Sequence, residues 1–184
     1  IPLNLDTLTL DMDKLPDLVN ENTKLIAVGT ASNCIGTITD LHIAKRESER
    51  VGAILATDAV HAIPHFYVDM KNEGIDLLFC SVYKMFGPHV GMAVINEDLI
   101  EKIQPYKIVP SPNNYAERFE TGTQNHEGIP GVTEAIKFIA SLGEGETFKE
   151  KIKSGYKSIE EYEDMLANKV REELAKIEKI TRSE

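Results

Sequence analysis

Short, continuous apolar runs punctuate the first half of the chain: Leu25-Ile26-Ala27-Val28, Ala53-Ile54-Leu55-Ala56-Thr57, Ile75-Asp76-Leu77-Leu78-Phe79-Cys80 and Val90-Gly91-Met92-Ala93-Val94-Ile95. Runs of this length without polar alternation are the pattern of strands buried on both faces. Between the first two, apolar positions fall instead at a helical period. Leu41, Ala44, Ser48 and Val51 share one face of a predicted helix from about Leu41 to Arg50, which Thr39 or Asp40 can cap and Gly52 ends. Strand, helix, strand, crossover, strand is the rhythm of a parallel α/β sheet with right-handed connections. The run from Val90 follows its predecessor through a connection too short for a helical crossover, so this strand is expected to be antiparallel to its neighbour.

The flanks carry weaker patterns. Ile1 to Leu5 is strand-like, residues 6–23 read as a hairpin or connection, and a helix is expected from Lys14 to Asn20, capped by Asp11 or Asp13. Beyond the last strand a helix from Glu97 to Ile103 ends before Pro105. Residues 105–131, rich in proline, glycine and asparagine, read as an irregular segment; a loop that long in a compact domain is usually functional or crosses to a partner. Helical periodicity resumes from Val132 to Leu142. A longer helix from Thr147 to about Ile177 then aligns Phe148, Ile152, Tyr156, Ile159, Leu166, Val170, Leu174 and Ile177 on one stripe, with lysines and glutamates elsewhere. The chain enters a strand-like segment at Ile1 without a methionine, and we read it as a central fragment: residues 1–145 as part of one large domain, 146–184 as a helix leading toward a further one.

Composition narrows the functional classes. Of 184 residues, 42% are hydrophobic and 27% charged, as in ordinary soluble globular proteins. A formal net charge of −10 argues against a general nucleic-acid or anionic-membrane partner, either of which needs a basic face. No apolar run approaches the roughly 18 residues that a membrane span requires. Cys34 and Cys80 form neither a disulfide framework nor a zinc cluster, which fits a reducing, cytoplasmic setting. Nor do His65, His89 and His126 fall at metal-ligand spacing, and neither a P-loop nor a dinucleotide fingerprint occurs.

The chemistry concentrates where strands end. Ligands of parallel α/β sheets gather at the C-terminal strand ends, and Asn33, Asp58, Ser81 and Lys84 all lie just past such ends. A lysine where a buried strand breaks into the turn Ser81-Val82-Tyr83-Lys84-Met85-Phe86-Gly87-Pro88 either snorkels outward or has its amine paired or used chemically, as in a Schiff base. Asp58, one strand-to-strand step earlier, can face a pyridinium nitrogen; it can equally be a turn former. Ser81, Tyr83 and Thr123 carry hydroxyls able to hold a phosphate, or to bond their own backbone. His61 could donate to a phenolate oxygen of a cofactor ring, or be merely polar and half exposed.

Ala31-Ser32-Asn33-Cys34-Ile35-Gly36-Thr37, Thr57-Asp58-Ala59-Val60-His61, the Ser81–Pro88 turn and Arg118-Phe119-Glu120-Thr121-Gly122-Thr123-Gln124-Asn125 occur in an order and spacing that resembles the class V aminotransferase family, its cysteine desulfurase-like branch most of all. The resemblance implies a fold-type I architecture: a three-layer α/β/α domain with a mainly parallel sheet carrying an antiparallel strand. It also implies pyridoxal 5'-phosphate as cofactor and a homodimer whose sites are shared between subunits. Lys84 would carry the internal aldimine, Asp58 would pair with the pyridine nitrogen, and His61 stands where the family commonly has glutamine. Ser81 and Tyr83 would hold the phosphate, although many relatives have histidine where Tyr83 sits. Thr123 would reach the phosphate of the opposite subunit, and Asn33 would lie near the substrate carboxylate and ring oxygen.

The implied reaction is sulfur removal from cysteine, with a small amino acid as substrate and a sulfur-acceptor protein as a possible partner. Another class V lyase or aminotransfer reaction, or a non-catalytic dimerisation or binding module that keeps the fold, are the alternatives. Neither Cys34 nor Cys80 matches the persulfide-forming cysteine of desulfurases. Arg118 reads as a loop ion pair with Glu117 or Glu120 rather than as a substrate clamp.

Overall fold

The computed structural model describes residues 1–114, 116–120 and 122–177. A two-residue antiparallel ribbon, β1 (Leu3–Asn4) with β2 (Thr9–Leu10), opens the chain. One 3₁₀ turn, Met12–Lys14, runs into the short α1 (Leu15–Leu18), and the chain is extended again at Val19. The helix expected to reach Asn20 therefore stops early, and Asp11 occupies its cap position without a side-chain cap bond.

The central sheet has the spatial order β3 (Leu25–Gly29), β4 (Ile54–Asp58), β5 (Leu77–Ser81), β6 (Gly91–Ile95). β3, β4 and β5 run parallel, with Gly29 opposite Asp58 and Asp58 opposite Phe79; β6 is antiparallel to β5, with Ser81 opposite Gly91. The mainly parallel α/β sheet with one antiparallel strand is as expected. The crossover from β3 to β4 is α2 (Leu41–Val51), where the Asp40 carboxylate accepts the His42 N–H at 2.9 Å and Gly52, at φ 66°, closes the helix in the left-handed conformation that glycine adopts without strain. The short α3 (Met70–Glu73) and α4 (Glu97–Ile100) follow β4 and β6.

One face of the sheet is covered and the other is bare. Ile26, Val28, Leu55, Leu78 and Cys80 pack against Met12, Leu15, Val19, Leu41 and Ala44 in the main core. On the opposite face Leu25 is 53% exposed and Phe79 45% exposed. Burial on both faces holds for Leu55, Ala56 and Thr57 of β4, but β3 alternates buried and exposed residues, and Phe79 of β5 is exposed between buried neighbours. The cause is the placement of the helices: the helical residues in the two core clusters lie on one side, so the described residues supply the sheet and one helical layer of a three-layer fold.

A second cluster sits beside the first and borders it through Ile63 and Met92. It joins Val82 and Met85, either side of Lys84, to Ala135 and Ile139 of α5 (Ile129–Ser141) and to Tyr156 and Ile159 of α6 (Phe148–Leu174). α5 begins three residues before the expected Val132, because Pro130 and Gly131 are accommodated in its first turn, where the missing proline N–H costs nothing. At the head of α6, Thr147 and Glu150 form a reciprocal capping box. Only the N-terminal half of the predicted apolar stripe is used: Tyr156 and Ile159 are buried, whereas Leu166, Val170, Leu174 and Ile177 are exposed. Residues 178–184, the tail of the second predicted segment, lie outside the described residues.

Candidate active site

Strand geometry brings the sequence-predicted residues to one end of the sheet. Asp58 is the last residue of β4, and its backbone is fixed by Thr30, whose N–H and hydroxyl both donate to the Asp58 carbonyl at 2.9 and 2.8 Å. The carboxylate is held in turn: Oδ1 accepts the Val60 N–H at 3.0 Å, leaving Oδ2 without a protein partner among the described residues. Strand alternation directs this side chain to the bare face of the sheet, in register between Gly29 and Phe79. A Cβ built at Gly29 would meet nothing within 4 Å, so the space beside Asp58 is open.

Lys84 stands on a braced turn. After Ser81 the chain enters a 3₁₀ turn, Val82–Lys84, in which the fully buried Val82 donates its N–H to Val90 at 2.9 Å and its carbonyl accepts from Met85 (2.9 Å) and Gly87 (3.0 Å). Phe86 is forced to φ 67°, a conformation that costs a non-glycine residue roughly 1 kcal/mol or more. Gly87 is obligatory in this geometry, since a Cβ there would collide with Cγ1 of Val82. The turn is thus fixed from both sides of the lysine.

The Lys84 Nζ lies 2.9 Å from Nε2 of His61 and 5.7 Å from the centre of the Tyr83 ring. His61 is itself held by a tight turn, in which the Ala62 and Ile63 N–H groups donate to the Ala59 carbonyl at 3.1 and 3.0 Å, with Ala59 and Ala62 fully buried. Tyr83 stacks on His89, ring centres 4.8 Å apart and planes 15° from parallel. Ser81 points to the same face of the sheet as Asp58.

Asn33 is exposed in a turn that Ser32 organises by accepting the Cys34 N–H at 3.2 Å. Thr123 is exposed in the irregular segment, with no hydrogen bond to the Lys84 turn; its neighbour Thr121 lies outside the described residues. The structure therefore brings His61, Tyr83 and Lys84 together and sets Asp58 and Ser81 at the adjacent strand ends. Asn33 and Thr123 are not joined to them by any hydrogen bond. The expected ion pair of Arg118 does not form: Glu117 accepts from Asn114 instead, and the guanidinium lies 5.0 Å from the Phe119 ring with Nε and Nη2 buried and unpaired.

With this geometry in place, comparison with known proteins is decisive. The model of the aminotransferase class-V family matches residues 2–183. The chain belongs to that family. A probable cysteine desulfurase of Borreliella burgdorferi is 30% identical over 176 residues, covering 83% of this chain and 41% of the relative. A cysteine desulfurase of Escherichia coli O6:K15:H31 is 31% identical over 156 residues, covering 78% and 38%. The apo structure of a cysteine desulfurase from Thermococcus onnurineus NA1 matches with a TM-score of 0.78 at 26% identity, over 94% of this chain and 43% of that one. A cysteine desulfurase structure from Escherichia coli shares the fold at TM-score 0.77 and 24% identity. The chain spans about two fifths of the length of these relatives.

Within this class-V chain, sequence reasoning missed the groups that hold the site rather than those that form it. Thr30 carried a signal, a threonine directly after the last residue of a strand. The contact of His65 Nδ1 with Glu163 at 2.9 Å joins segments distant in sequence, and the stacking of His89 on Tyr83 depends on how the turn between them folds; neither left one. Cys80 is buried in the sheet, where desolvation pushes its thiol up from the ordinary value and keeps it unreactive; Cys34 is exposed in the Ser32 turn. Burial, and secondarily Cys80, pushes the Tyr156 hydroxyl up to about 12, which marks it as a core residue. No helix among the described residues is long and apolar enough to cross a membrane.

Proposed function

We propose that this chain is the cofactor-binding core of a pyridoxal-phosphate enzyme acting on a small amino acid, with desulfuration of cysteine as the reaction. The observation that carries the reading is Lys84: a lysine on a rigid turn at a strand end, its amine 2.9 Å from His61, one strand away from a carboxylate with one oxygen unpaired among the described residues. The residues present fit the cofactor. Among the described residues Asp58 Oδ2 lacks a protein partner, and the space at the neighbouring Gly29 is open, as an acceptor for a protonated ring nitrogen requires. Ser81 and Tyr83 offer hydroxyls for the phosphate, and Asn33 an amide for the substrate carboxylate. Thr123, exposed and remote from Lys84 in hydrogen bonding, serves the site of a second subunit in a homodimer.

When bound, the cofactor supplies an aldehyde for the lysine amine and an electron sink for the substrate α-carbon. The chain's own residues do the rest. Asp58 holds positive charge on the ring nitrogen, Lys84 Nζ carries the proton at the α-carbon, and the Val82–Gly87 bracing keeps that nitrogen in place. On this reading residues 1–145 are part of the large cofactor-binding domain, and 146–184 lead toward a smaller one. Similarity to desulfurases supports cysteine as substrate and a protein as sulfur acceptor.

The test is direct. Full-length protein should be yellow, and borohydride reduction with peptide mapping should place a pyridoxyl group on Lys84, lost in Lys84→Ala. A colourless protein that cannot be reconstituted with pyridoxal phosphate would refute the proposal.

A further inference from the structure

His61 touches Lys84 and nothing in the comparisons assigns it a role. Its Nε2 lies 2.9 Å from Nζ, a distance at which a single proton sits between the two nitrogens. A protonated ring would turn an N–H toward an ammonium and break the contact, so the pair is compatible with a neutral imidazole accepting from Lys84. Behind the ring opens a cavity of about 380 Å³. His61 lines it and Lys84 does not, so the imidazole is the member of the pair that borders the cavity.

Charged and titratable groups face the ring from several elements. Glu160, Glu163 and Asp164 face it across the cavity from α6, with His65 paired to Glu163 at 2.9 Å. Asp58 precedes it on its own turn, and Lys84 and Tyr83 stand on the other side.

We propose that His61 is the positioning residue of Lys84: its neutral Nε2 aims the amine and takes the amine's proton as Nζ attacks a carbonyl, and the cavity passes that proton to solvent. The inference rests on the reading of Lys84 as a condensing amine. In the step, one proton moves from the Lys84 ammonium to Nε2. The freed lone pair forms a C–N bond, the carbonyl π pair moves to oxygen, and the oxygen departs as water with the amine's two remaining protons. Ordinary amines hold protons about 10⁴-fold more tightly than ordinary imidazoles. An imidazole here is therefore an acceptor at the moment of bond formation, not a group that keeps the amine neutral at rest.

Full-length protein, stripped of bound aldehyde with hydroxylamine, is treated with formaldehyde and cyanoborohydride between about pH 5 and 9. Methylation of Lys84 relative to the exposed Lys157 is read by peptide mass spectrometry. The ratio should show an inflection in the imidazole range that His61→Gln removes. In His61→Ala the ratio at pH 8 should fall about tenfold, and added imidazole should restore it, a rescue that a purely structural role would not give. Superimposable profiles for wild type and His61→Gln, or no loss in His61→Ala, overturn the proposal. Labelling the same preparation with pyridoxal phosphate and borohydride separates the two readings: an inflection without a pyridoxyl group on Lys84 removes the cofactor function and leaves the role of His61 standing.

Discussion

Gly155 offers a test in which local and tertiary effects have opposite signs. It lies inside α6, where replacing glycine by alanine ordinarily stabilises a helix by about 1 kcal/mol. In this fold a Cβ at that position would be driven into the Ile139 carbonyl of α5, and a Cβ at Gly143 into the backbone of Lys151 and Gly155. Both obstacles are main chain, which cannot rotate away as a side chain can. Relief requires α5 and α6 to separate by about 1 Å, which opens the cluster of Ile139, Tyr156 and Ile159; overpacking of this kind costs about 1–3 kcal/mol. Gly155→Ala should thus be destabilised by about 1–3 kcal/mol despite its better propensity. With a urea dependence of about 1–3 kcal/mol per molar, the midpoint followed by circular dichroism should drop by about 1 M. Ser158→Ala, exposed one turn away on α6, is the control and should move by less than about 0.5 kcal/mol. A Gly155→Ala protein as stable as wild type, or more so, would refute the packing of α5 on α6 described above.

Two further expectations follow from side chains away from the site. Thr147→Ala removes one half of the capping box on α6 and should cost about 0.5–2 kcal/mol, measured as a lowered thermal midpoint. Glu47 is buried on α2 between Arg50 at 2.7 Å and Arg46 at 3.2 Å, and the hydrogen bond from Arg50 holds its carboxyl below the ordinary value of 4.5. Its unfolded form therefore binds a proton first as pH falls, so its contribution is present above that value and is lost as pH drops through the folded-state titration. Glu47→Gln should be less stable than wild type at pH 7, and the gap in urea midpoint should close on acidification below about pH 4.5; a gap independent of pH would contradict the ion-pair account.

Strand positions, the β3–β4 crossover and the antiparallel β6 were legible in the sequence because each depends on a local pattern: an apolar run, a helical period closed by glycine, a connection too short for a crossover. Lys84 and Asp58 stood out for a related reason, since a charged residue at the end of an apolar run or in the turn just past it is conspicuous. Misreadings arose where a partner segment decides. Leu25 and Phe79 belong to runs that read as buried on both faces, yet alternation leaves them exposed wherever helices cover only one side. Arg118 sits between glutamates in the chain, but loop geometry sends Glu117 to Asn114 and leaves the guanidinium against Phe119. For His61, sequence could offer only a turn histidine; the Lys84 contact exists because the turns after β4 and β5 converge.

That convergence explains why the fold keeps two apolar clusters. The first fastens α1 and α2 to the sheet and so fixes the strand end that carries Asp58 and the turn that carries His61; Ala59 and Ala62, on either side of that turn, are among its fully buried members. The second fastens α5 and α6 beneath Val82 and Met85, the residues that straddle Lys84. The amine is thus positioned by one cluster and its imidazole partner by the other, with Ile63 and Met92 touching both. A hydrogen bond of 2.9 Å tolerates a shift of only a few tenths of an ångström before it weakens. The Lys84–His61 contact is accordingly sensitive to the seating of α5 and α6, although neither helix supplies a residue to it, and loosening the Gly143–Gly155 contact disturbs the site from a distance through Val82 and Met85.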